Sequence, residues 1–163
     1  MDNLKSITNE KSLTTKMMLY GSTTSESSGK DKTNPRAFIP IYEAFIAKTY
    51  QLSDDISKHL VYYYGTKSIY VAELGKQLNL MEKIVSTEPY IKAEIIFAIR
   101  HEMAVSLKDV LFRRLGIGFL NMELTKGKFV EEAAKVMQKE CNWSNIEMKK
   151  QIKDVRDSIA SLN

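Results

Sequence analysis

From Pro40 onward, apolar residues recur at helical spacing, and the residues between these runs mark where helices start and stop. Pro40 itself suits the first turn of a helix, because its missing N–H would have no partner there. Ile41, Ala44 and Phe45 then follow at helical spacing, with Lys48 continuing the pattern. The pattern therefore predicts a first helix over this stretch.

Capping residues divide the next part of the chain into two further helices. Ser53, followed by two aspartates, predicts a helix start, because its side chain and the negative charges suit the positive end of a helix. Gly65 predicts the end of that helix. Thr66 is expected to cap a third helix that runs toward Leu78.

A proline and two capping pairs organise the second half of the chain. Pro89 is expected to open a helix, and Ser106 with Asp109 resembles a capping box, so we predict a break near Val105 and a new helix after it. The apolar face of the helix before the break is predicted to be core and contains Ile95, Ile96, Ile99 and Met103.

Two more helices complete the predicted fold. One is expected to span roughly 129–140, and Ser144 with Glu147 forms a capping box for the last one. Strand-like alternation is not sustained anywhere. We predict an all-α fold, a compact bundle of six or seven helices, with a flexible N-terminal segment.

The N-terminal region differs from the rest in composition. Residues 22–36 are rich in Ser, Thr and Lys and too poor in apolar residues to fold alone, so we interpret them as a flexible insertion. We therefore divide the chain into an N-terminal arm with this insertion, 1–36, and a helical domain, 37–163.

Composition narrows the classes of function. A hydrophobic fraction of 44% and a charged fraction of 27% are ordinary for a soluble globular protein. The net charge of +4 permits contact with nucleic acid or anionic membranes without requiring it. The single cysteine, Cys141, excludes an internal disulfide and a cysteine-based zinc cluster, so we expect an inert, partly buried thiol.

The stretch from 93 to 118 contains fragments of catalytic motifs that are incomplete. His101-Glu102 begins like a zinc protease motif, but Val105 stands where the second histidine is needed, so we expect a surface or interdomain histidine and no metal site. Gly116-Ile117-Gly118 has neither the third glycine nor the preceding strand of a dinucleotide loop. Neither fragment predicts catalysis or cofactor binding.

Charged residues of the same stretch suggest ion pairs rather than acid–base catalysis. Glu94 and Glu102 return to roughly the same helix face, and paired carboxylates do acid–base work only in a cleft that raises a pKa. We predict an ion-pair network, inside the domain or across an interdomain interface, and its candidates are Glu94, Glu102, Asp109, Arg113 and Arg114.

Two other functions remain open at this point. Residues 71–86 resemble a helix-turn-helix, with Ala72 and Leu74 inward, Asn79 at the turn, and Ile84 on a second helix. That second helix would offer a single cation, Lys83, to DNA. An autonomous interaction or DNA-binding module is therefore one alternative, and a scaffold whose basic surface touches anionic lipid is another.

Several motifs, in the same order as in a known family, occur from residue 59 onward. H-L-x-x-x-Y-G is present at 59–65, P-Y-x-x-A-E at 89–94 with an aromatic residue at 97, and an acidic residue at 102 precedes D-x-x-x-R-R at 109–114. Phe and Leu at 119–120 and M-x-x-E-x-x-W at 137–143 follow. This order resembles the C-terminal helical domain of FAD-dependent glycerol-3-phosphate dehydrogenases and the related oxidases, and residues 14–21 resemble the segment leading into that domain.

The resemblance implies that the parent enzyme oxidises glycerol 3-phosphate to dihydroxyacetone phosphate, using FAD and then a membrane quinone. It implies an accessory domain whose partner is the flavin-binding domain of the same polypeptide. That domain holds the cofactor- and substrate-binding residues, so no catalytic residue, metal, FAD or nucleic acid is expected on this chain. The parent would lie on the mitochondrial inner membrane or, in a bacterium, on the inner face of the cytoplasmic membrane, with this part of the chain soluble.

The chain departs from the family pattern directly after the arginine pair. Leu115-Gly116 stands where the family usually has Thr-Arg. The substitution removes a hydroxyl and a cation, so an interface contact made by that second arginine is not expected here.

Overall fold

The structure is a computed structural model and describes residues 38–161. It confirms the predicted all-α class, and within the described residues there is no strand, only an isolated bridge between Lys83 and Ile91. The α-helices are α1 Ile39–Tyr50, α2 Asp54–Tyr64, α3 Ser68–Leu78, α4 Lys92–Glu102, α5 Ile117–Leu120, α6 Met122–Lys126, α7 Lys128–Cys141 and α8 Asn145–Ala160. The predicted N-terminal arm and insertion lie outside the described residues.

Local capping signals placed several helix ends correctly. Pro40 lies in the first turn of α1, Ser53 is the N-cap of α2, and Gly65 ends α2 with a positive φ of 56°. The Ser144 hydroxyl accepts a hydrogen bond from the amide of Glu147 at 3.1 Å, which caps α8. These ends depend on a few neighbouring residues, which explains why sequence alone predicted them.

The predicted apolar stripe of α1 faces outward. Ile41 and Phe45 are exposed, whereas Ile46 is fully buried and packs with Phe38 and the residues of α2 and α3. Helix α1 has apolar residues on both sides, and periodicity cannot state which side meets the rest of the domain.

The predicted start of the third helix and the predicted helix-turn-helix are wrong. A short 3₁₀ helix, Gly65–Lys67, contains Thr66 and leads directly into α3, whose N-cap is Lys67. Asn79 does end α3 in the left-handed conformation. The chain then pairs with itself, since Ile84 N–H donates to the Tyr90 carbonyl at 2.8 Å, and no second helix forms.

Helix α4 lies between the two hydrophobic clusters of the described residues. It starts at Lys92, three residues after Pro89, which was predicted to open it. Phe97 packs toward the cluster formed with α1, α2 and α3, whereas Ile95 and Ile96 pack toward the cluster formed with α7 and α8. The apolar residues of α4 surround its helix axis because a hydrophobic cluster covers the helix on each side.

The chain breaks after α4 as predicted, but with two differences. Met103 adopts the left-handed conformation at the C-cap of α4 and is exposed, so its predicted place in the core is wrong. The helix after the break contains a π-helical segment, Asp109–Arg114. Such segments insert an extra residue per turn and shift the side chains that follow, which helical periodicity does not predict.

Helices α5 and α6 are only four and five residues long and were not predicted. They connect the π-helical segment to α7, which matches the predicted span within one residue at each end. Among the described helices, none combines the length and the apolar character needed to cross a lipid bilayer.

Candidate functional site

The most deeply buried carboxylate of the described residues is that of Glu94, in the first turn of α4. Its Oε1 accepts a hydrogen bond from the Ile91 amide at 2.7 Å, and its Oε2 lies 2.8 Å from Nε2 of His59 and accepts a bond from the Tyr64 hydroxyl at 3.1 Å. The Glu94 side chain is fully buried. Three donors therefore compensate for the loss of water around this carboxylate.

Aromatic rings surround the His59–Glu94 pair. The His59 ring lies 4.2 Å from the Tyr90 ring and 4.6 Å from the Tyr63 ring, and the two tyrosine hydroxyls are 3.2 Å apart. Burial, followed by the charge of Glu94, raises the pKa of Tyr64 well above its usual value. The Tyr64 hydroxyl is thus a neutral donor to the Glu94 carboxylate.

This cluster joins two motifs that are separate in the sequence. His59 and Tyr64 come from the motif at the end of α2, and Glu94 and Tyr90 come from the motif that starts α4. The sequence analysis selected Glu94 but missed its partner His59, whose side chain is buried inside the domain. His59 and Glu94 are 35 residues apart in the sequence. Helical periodicity does not reach that far, so only the two motifs taken together could have indicated the contact.

Glu102 and Arg114 hold the loop after α4. The Arg114 guanidinium donates to the Glu102 carbonyl, with Nε at 2.9 Å, and lies 3.8 Å from the Glu102 carboxylate. Burial raises the pKa of Glu102, and the positive charge of Arg114 opposes part of that increase. Arg114 therefore joins the C-terminal end of α4 to the π-helical segment.

Asp109 and Ser106 form the predicted capping box. The Asp109 amide donates to the Ser106 hydroxyl at 3.1 Å, and Oδ2 of Asp109 accepts from the Ser106 amide at 3.0 Å. Arg113 contacts the other oxygen of Asp109 at 2.7 Å. Burial by itself would raise the pKa of Asp109, but the hydrogen bonds from Ser106 and from backbone amides, together with the charge of Arg113, lower it.

The five predicted ion-pair residues thus separate into three groups. Glu94 bonds within the buried cluster, Glu102 pairs with Arg114, and Asp109 pairs with Arg113. Nε and Nη2 of Arg114 both donate to the Glu102 carbonyl, whereas the Arg113 side chain is 73% exposed with a single ion-pair contact. A role at an interdomain interface stays a prediction for these residues.

An exposed apolar surface lies at α5 and the end of α2, and we call it the Phe119 surface; it consists of Tyr63, Gly116, Phe119 and Leu120. Phe119 and Leu120 are 73% and 69% exposed, and the Phe119 ring packs against Phe112 at 5.6 Å. The Tyr63 hydroxyl and the Leu120 side chain both approach the backbone of Gly116. Adjoining apolar side chains of this size on the outside of a domain are typical of an interaction site.

The structure agrees with the rejection of a dinucleotide loop at Gly116–Gly118. Gly116 has a φ of 67° and follows the π-helical segment rather than a strand. The space beside Gly118 is occupied by Phe112, whose Cδ1 would lie 2.2 Å from an added Cβ. A pyrophosphate needs open backbone at that place, so these glycines do not fit a flavin or nicotinamide dinucleotide.

The two remaining candidate residues are His101 and Cys141. His101 is exposed, and its ring packs on Phe97 at 4.9 Å. Within residues 38–161 no group of three His, Cys, Asp or Glu side chains could hold a metal ion. Cys141 is partly buried, as predicted, and burial together with the charge of Glu140 raises the pKa of its thiol.

Comparisons with known proteins agree on one family. A family model described as the C-terminal domain of alpha-glycerophosphate oxidase matches residues 12–148. The chain is 26% identical over 121 residues to the probable mitochondrial glycerol-3-phosphate dehydrogenase of Dictyostelium discoideum, covering 72% of this chain and 18% of that protein. It is 31% identical over 126 residues to the mitochondrial glycerol-3-phosphate dehydrogenase of Saccharomyces cerevisiae, covering 63% of this chain and 19% of that protein.

A third relative gives the same result. The chain is 24% identical over 101 residues to the mitochondrial glycerol-3-phosphate dehydrogenase SDP6 of Arabidopsis thaliana, which covers 62% of this chain and 16% of that protein. No solved structure matches the chain significantly. The chain spans less than a fifth of the length of each of these curated relatives.

Proposed function

The chain belongs to the family of the C-terminal domain of alpha-glycerophosphate oxidase, and from this premise we propose that it is the C-terminal accessory domain of an FAD-dependent glycerol-3-phosphate dehydrogenase. The observation that carries the proposal is the family match over residues 12–148, together with three relatives that bear the name of that enzyme. The enzyme would oxidise glycerol 3-phosphate to dihydroxyacetone phosphate and pass the electrons to a quinone.

FAD would accept the hydride in that reaction, as flavins do, while protein groups bind and orient the substrate. We assign no FAD contact to this chain, because its one glycine-rich turn is filled by Phe112 and does not fit the cofactor. The described residues contribute packing and hydrogen bonding instead. The cofactor and substrate would be held by the part of the relatives that lies outside the match.

The partner of the domain would be the flavin-binding domain of the same polypeptide, and the Phe119 surface would dock on it. Support comes from the exposure of Phe119 and Leu120, and from the length of the relatives, of which four fifths lies outside the matched region. Burial of two large apolar side chains is the kind of contact that dominates a domain interface. The solvent-facing donors of Arg113 suit a carboxylate on the docking partner.

The buried cluster would support this interface without forming it. Tyr63 belongs both to the ring cluster around His59 and to the Phe119 surface, so it links the two. Glu94 would then act inside the domain, and Arg113 would act at the interface. Glu102 and Arg114 would hold the exposed loop around Met103 in a fixed position beside Arg113.

We further propose a mitochondrial location at the inner membrane. The printed names of all three relatives include the word mitochondrial, which supports the compartment. Quinones dissolve in membranes, so the proposed electron acceptor would require the parent enzyme to work at a membrane surface.

The direct test is to isolate the native polypeptide from its source cells with an antibody raised against this chain. We expect the precipitate to contain bound flavin, seen in its absorbance spectrum, and to reduce a dye when glycerol 3-phosphate is added. Recovery of only an 18.7 kDa polypeptide with no flavoprotein attached would contradict the proposal.

A second test addresses the docking surface in that flavin-containing enzyme. The double substitution Phe119→Ser with Leu120→Ser should lower glycerol-3-phosphate-dependent dye reduction or flavin retention at least tenfold, because hot-spot apolar contacts carry most interface energy. The matched control is Ile41→Ser with Phe45→Ser, which removes another exposed apolar pair, from α1. Equal effects of the two double substitutions would show that the Phe119 surface has no special role.

A further inference from the structure

A cavity of about 400 Å³ opens between α3, α4 and α7, and we call it the α4–α7 cavity. Its apolar walls include Ile96 of α4 and Val136 of α7, which are buried, and Leu78 at the end of α3, which is 38% exposed. Leu80, just after α3, adds a fourth aliphatic side chain. This volume lies near the lower end of the about 300–1,000 Å³ that small-molecule sites occupy, so the cavity suits a small ligand with an aliphatic part.

Most of the charges around the α4–α7 cavity are paired with one another. Arg100 donates to both carboxylate oxygens of Glu140, at 2.6 and 2.9 Å, and Lys135 pairs with Glu132 at 2.8 Å. These hydrogen bonds from cations lower the pKa of Glu140 and the pKa of Glu132. Both carboxylates are therefore ionised at neutral pH and already compensated by a cation.

Two further lysines line the same cavity and leave one positive charge in excess. Lys92 pairs with Glu82 at 2.6 Å. Lys139 is exposed near the end of α7 and forms no ion pair or side-chain hydrogen bond within residues 38–161. Four cations line the cavity, and three carboxylates pair with the other three of them, so the ammonium group of Lys139 is the one without a partner carboxylate in this part of the chain.

We propose that the α4–α7 cavity binds a small aliphatic monocarboxylate. The hydrocarbon part of the ligand lies against Ile96 and Val136, and its carboxylate pairs with the Lys139 ammonium group. A single excess cation matches a single anionic group, whereas a nucleotide would bring several negative charges. Among the described residues that line the cavity there is also no aromatic ring on which a base could stack. Aliphatic walls with one cation at the opening therefore favour a fatty carboxylate.

This inference rests on the cavity alone and not on the proposed enzyme, so its failure would leave the flavin and dye-reduction test unaffected. The direct test is titration of the isotopically labelled 163-residue chain with octanoate, followed by amide chemical shifts in NMR spectra. We expect saturable shifts confined mainly to residues 92–100 and 132–140, which form the walls of the cavity. Shifts that do not saturate, or that map to another part of the chain, would overturn the proposal.

Two related compounds separate the apolar contact from the charge contact. Hexanoate should bind about tenfold more weakly than octanoate, because each buried methylene contributes a factor of about four. Neutral octan-1-ol should bind about tenfold more weakly than octanoate, because it brings no charge to Lys139. Equal affinity for octanoate and octan-1-ol would contradict the assigned role of this lysine, and equal affinity for hexanoate and octanoate would contradict burial of the chain.

The variant Lys139→Glu tests the same contact from the side of the protein. We expect it to weaken octanoate binding about tenfold or more, because an attractive charge pair becomes a repulsive one. The matched control is Lys150→Glu, which makes the same change of charge at an exposed position on α8, outside the cavity. Octanoate binding should be nearly unchanged in the control. Equal losses in the two variants would reveal a general charge effect and overturn the proposal.

The variant Leu78→Ser tests the apolar wall at a position that is partly exposed. We expect octanoate binding to fall about threefold, because part of the hydrocarbon chain then lies against a hydroxyl group. Circular dichroism of all three variants checks that the fold is retained. Unchanged octanoate affinity in both Leu78→Ser and Lys139→Glu would show that the ligand binds elsewhere.

Discussion

The cluster around Glu94 and the region around Arg113 use charged residues in opposite ways. Glu94 is sealed inside the domain, and three donors satisfy its carboxylate. Arg113 lies at the surface, contacts one carboxylate and keeps most of its guanidinium in solvent. Both residues belong to the motifs that carry the resemblance to the family, so membership in a motif does not separate an internal role from an external one.

The difference shows where the two kinds of residue act. A buried charge needs fixed partners inside the fold, because leaving it without them costs several kcal/mol. An exposed arginine such as Arg113 has no such requirement and can use its donors on a partner. Stability measurements should therefore respond strongly to changes at the buried cluster and weakly to changes at the surface.

The largest expected effect comes from Glu94→Ala. The substitution removes the shared acceptor of His59, Tyr64 and the Ile91 amide, and we expect the free energy of unfolding to fall by about 3–5 kcal/mol. Urea unfolding followed by circular dichroism measures this change. The control is Glu123→Ala, which removes an exposed partner of Lys126 and should change the midpoint little. Similar losses for the two variants would remove the contrast between interior and surface.

A smaller effect is expected from Asp109→Ala, which removes the carboxylate paired with Arg113. This carboxylate closes the capping box with Ser106 and also pairs with Arg113, so its loss should cost about 2 kcal/mol. The same urea experiment measures it. Ser106→Ala should reproduce about half of the loss, because it removes only one side of the box. No loss in either variant would mean that the cap does not stabilise the start of this helix.

The smallest expected effect is a difference in pH dependence between Glu102 and Asp109. The pKa of Glu102 is raised by burial, so the folded state binds the extra proton and stability declines as pH rises from about 4.5 through the raised pKa. The pKa of Asp109 is lowered, so its contribution is present above about pH 3.8 and is lost as pH falls through the folded value.

Glu102→Gln should therefore become more stable relative to the unsubstituted chain as pH rises from 4 to 7, whereas Asp109→Asn should become less stable relative to the unsubstituted chain as pH rises toward about 3.8. Urea midpoints recorded at several pH values give both slopes. A variant at Glu102 whose difference from the unsubstituted chain does not vary with pH would show that this carboxyl is not perturbed by burial.

Sequence reasoning predicted helix ends more reliably than helix faces. Ser53, Gly65 and Ser144 each mark a helix end where predicted, although the Ser53 side chain makes no capping hydrogen bond, because a cap depends on the backbone amides and carbonyls of its own turn. Met103 was assigned to a buried face and is exposed, and Ile41, which follows the helical spacing of α1, is exposed as well. Each lies on a helix with more apolar residues than one side can hold, so spacing alone leaves the direction of the core undetermined.

The candidate site was predicted only in part, for a related reason. Glu94, Asp109 and Arg113 were selected from the sequence, and the local pair of Asp109 with Arg113 could be expected from the four-residue spacing. The partnership of His59 with Glu94 could not, because it joins two helices. The second helix of the supposed DNA-binding motif failed because residues 80–91 pair with one another and with the start of α4.

By itself the sequence determined the all-α class, several of the helix ends and the family of this chain, since these depend on local capping, on periodicity and on the order of motifs. Only the tertiary structure decided that Glu94 is enclosed by His59 and Tyr64, and that Phe119 and Leu120 remain outside. The physical reason is that burial is a property of the packed helices together. A carboxylate is enclosed or a phenylalanine is exposed according to which other helices lie beside it, and no stretch of neighbouring residues contains that information.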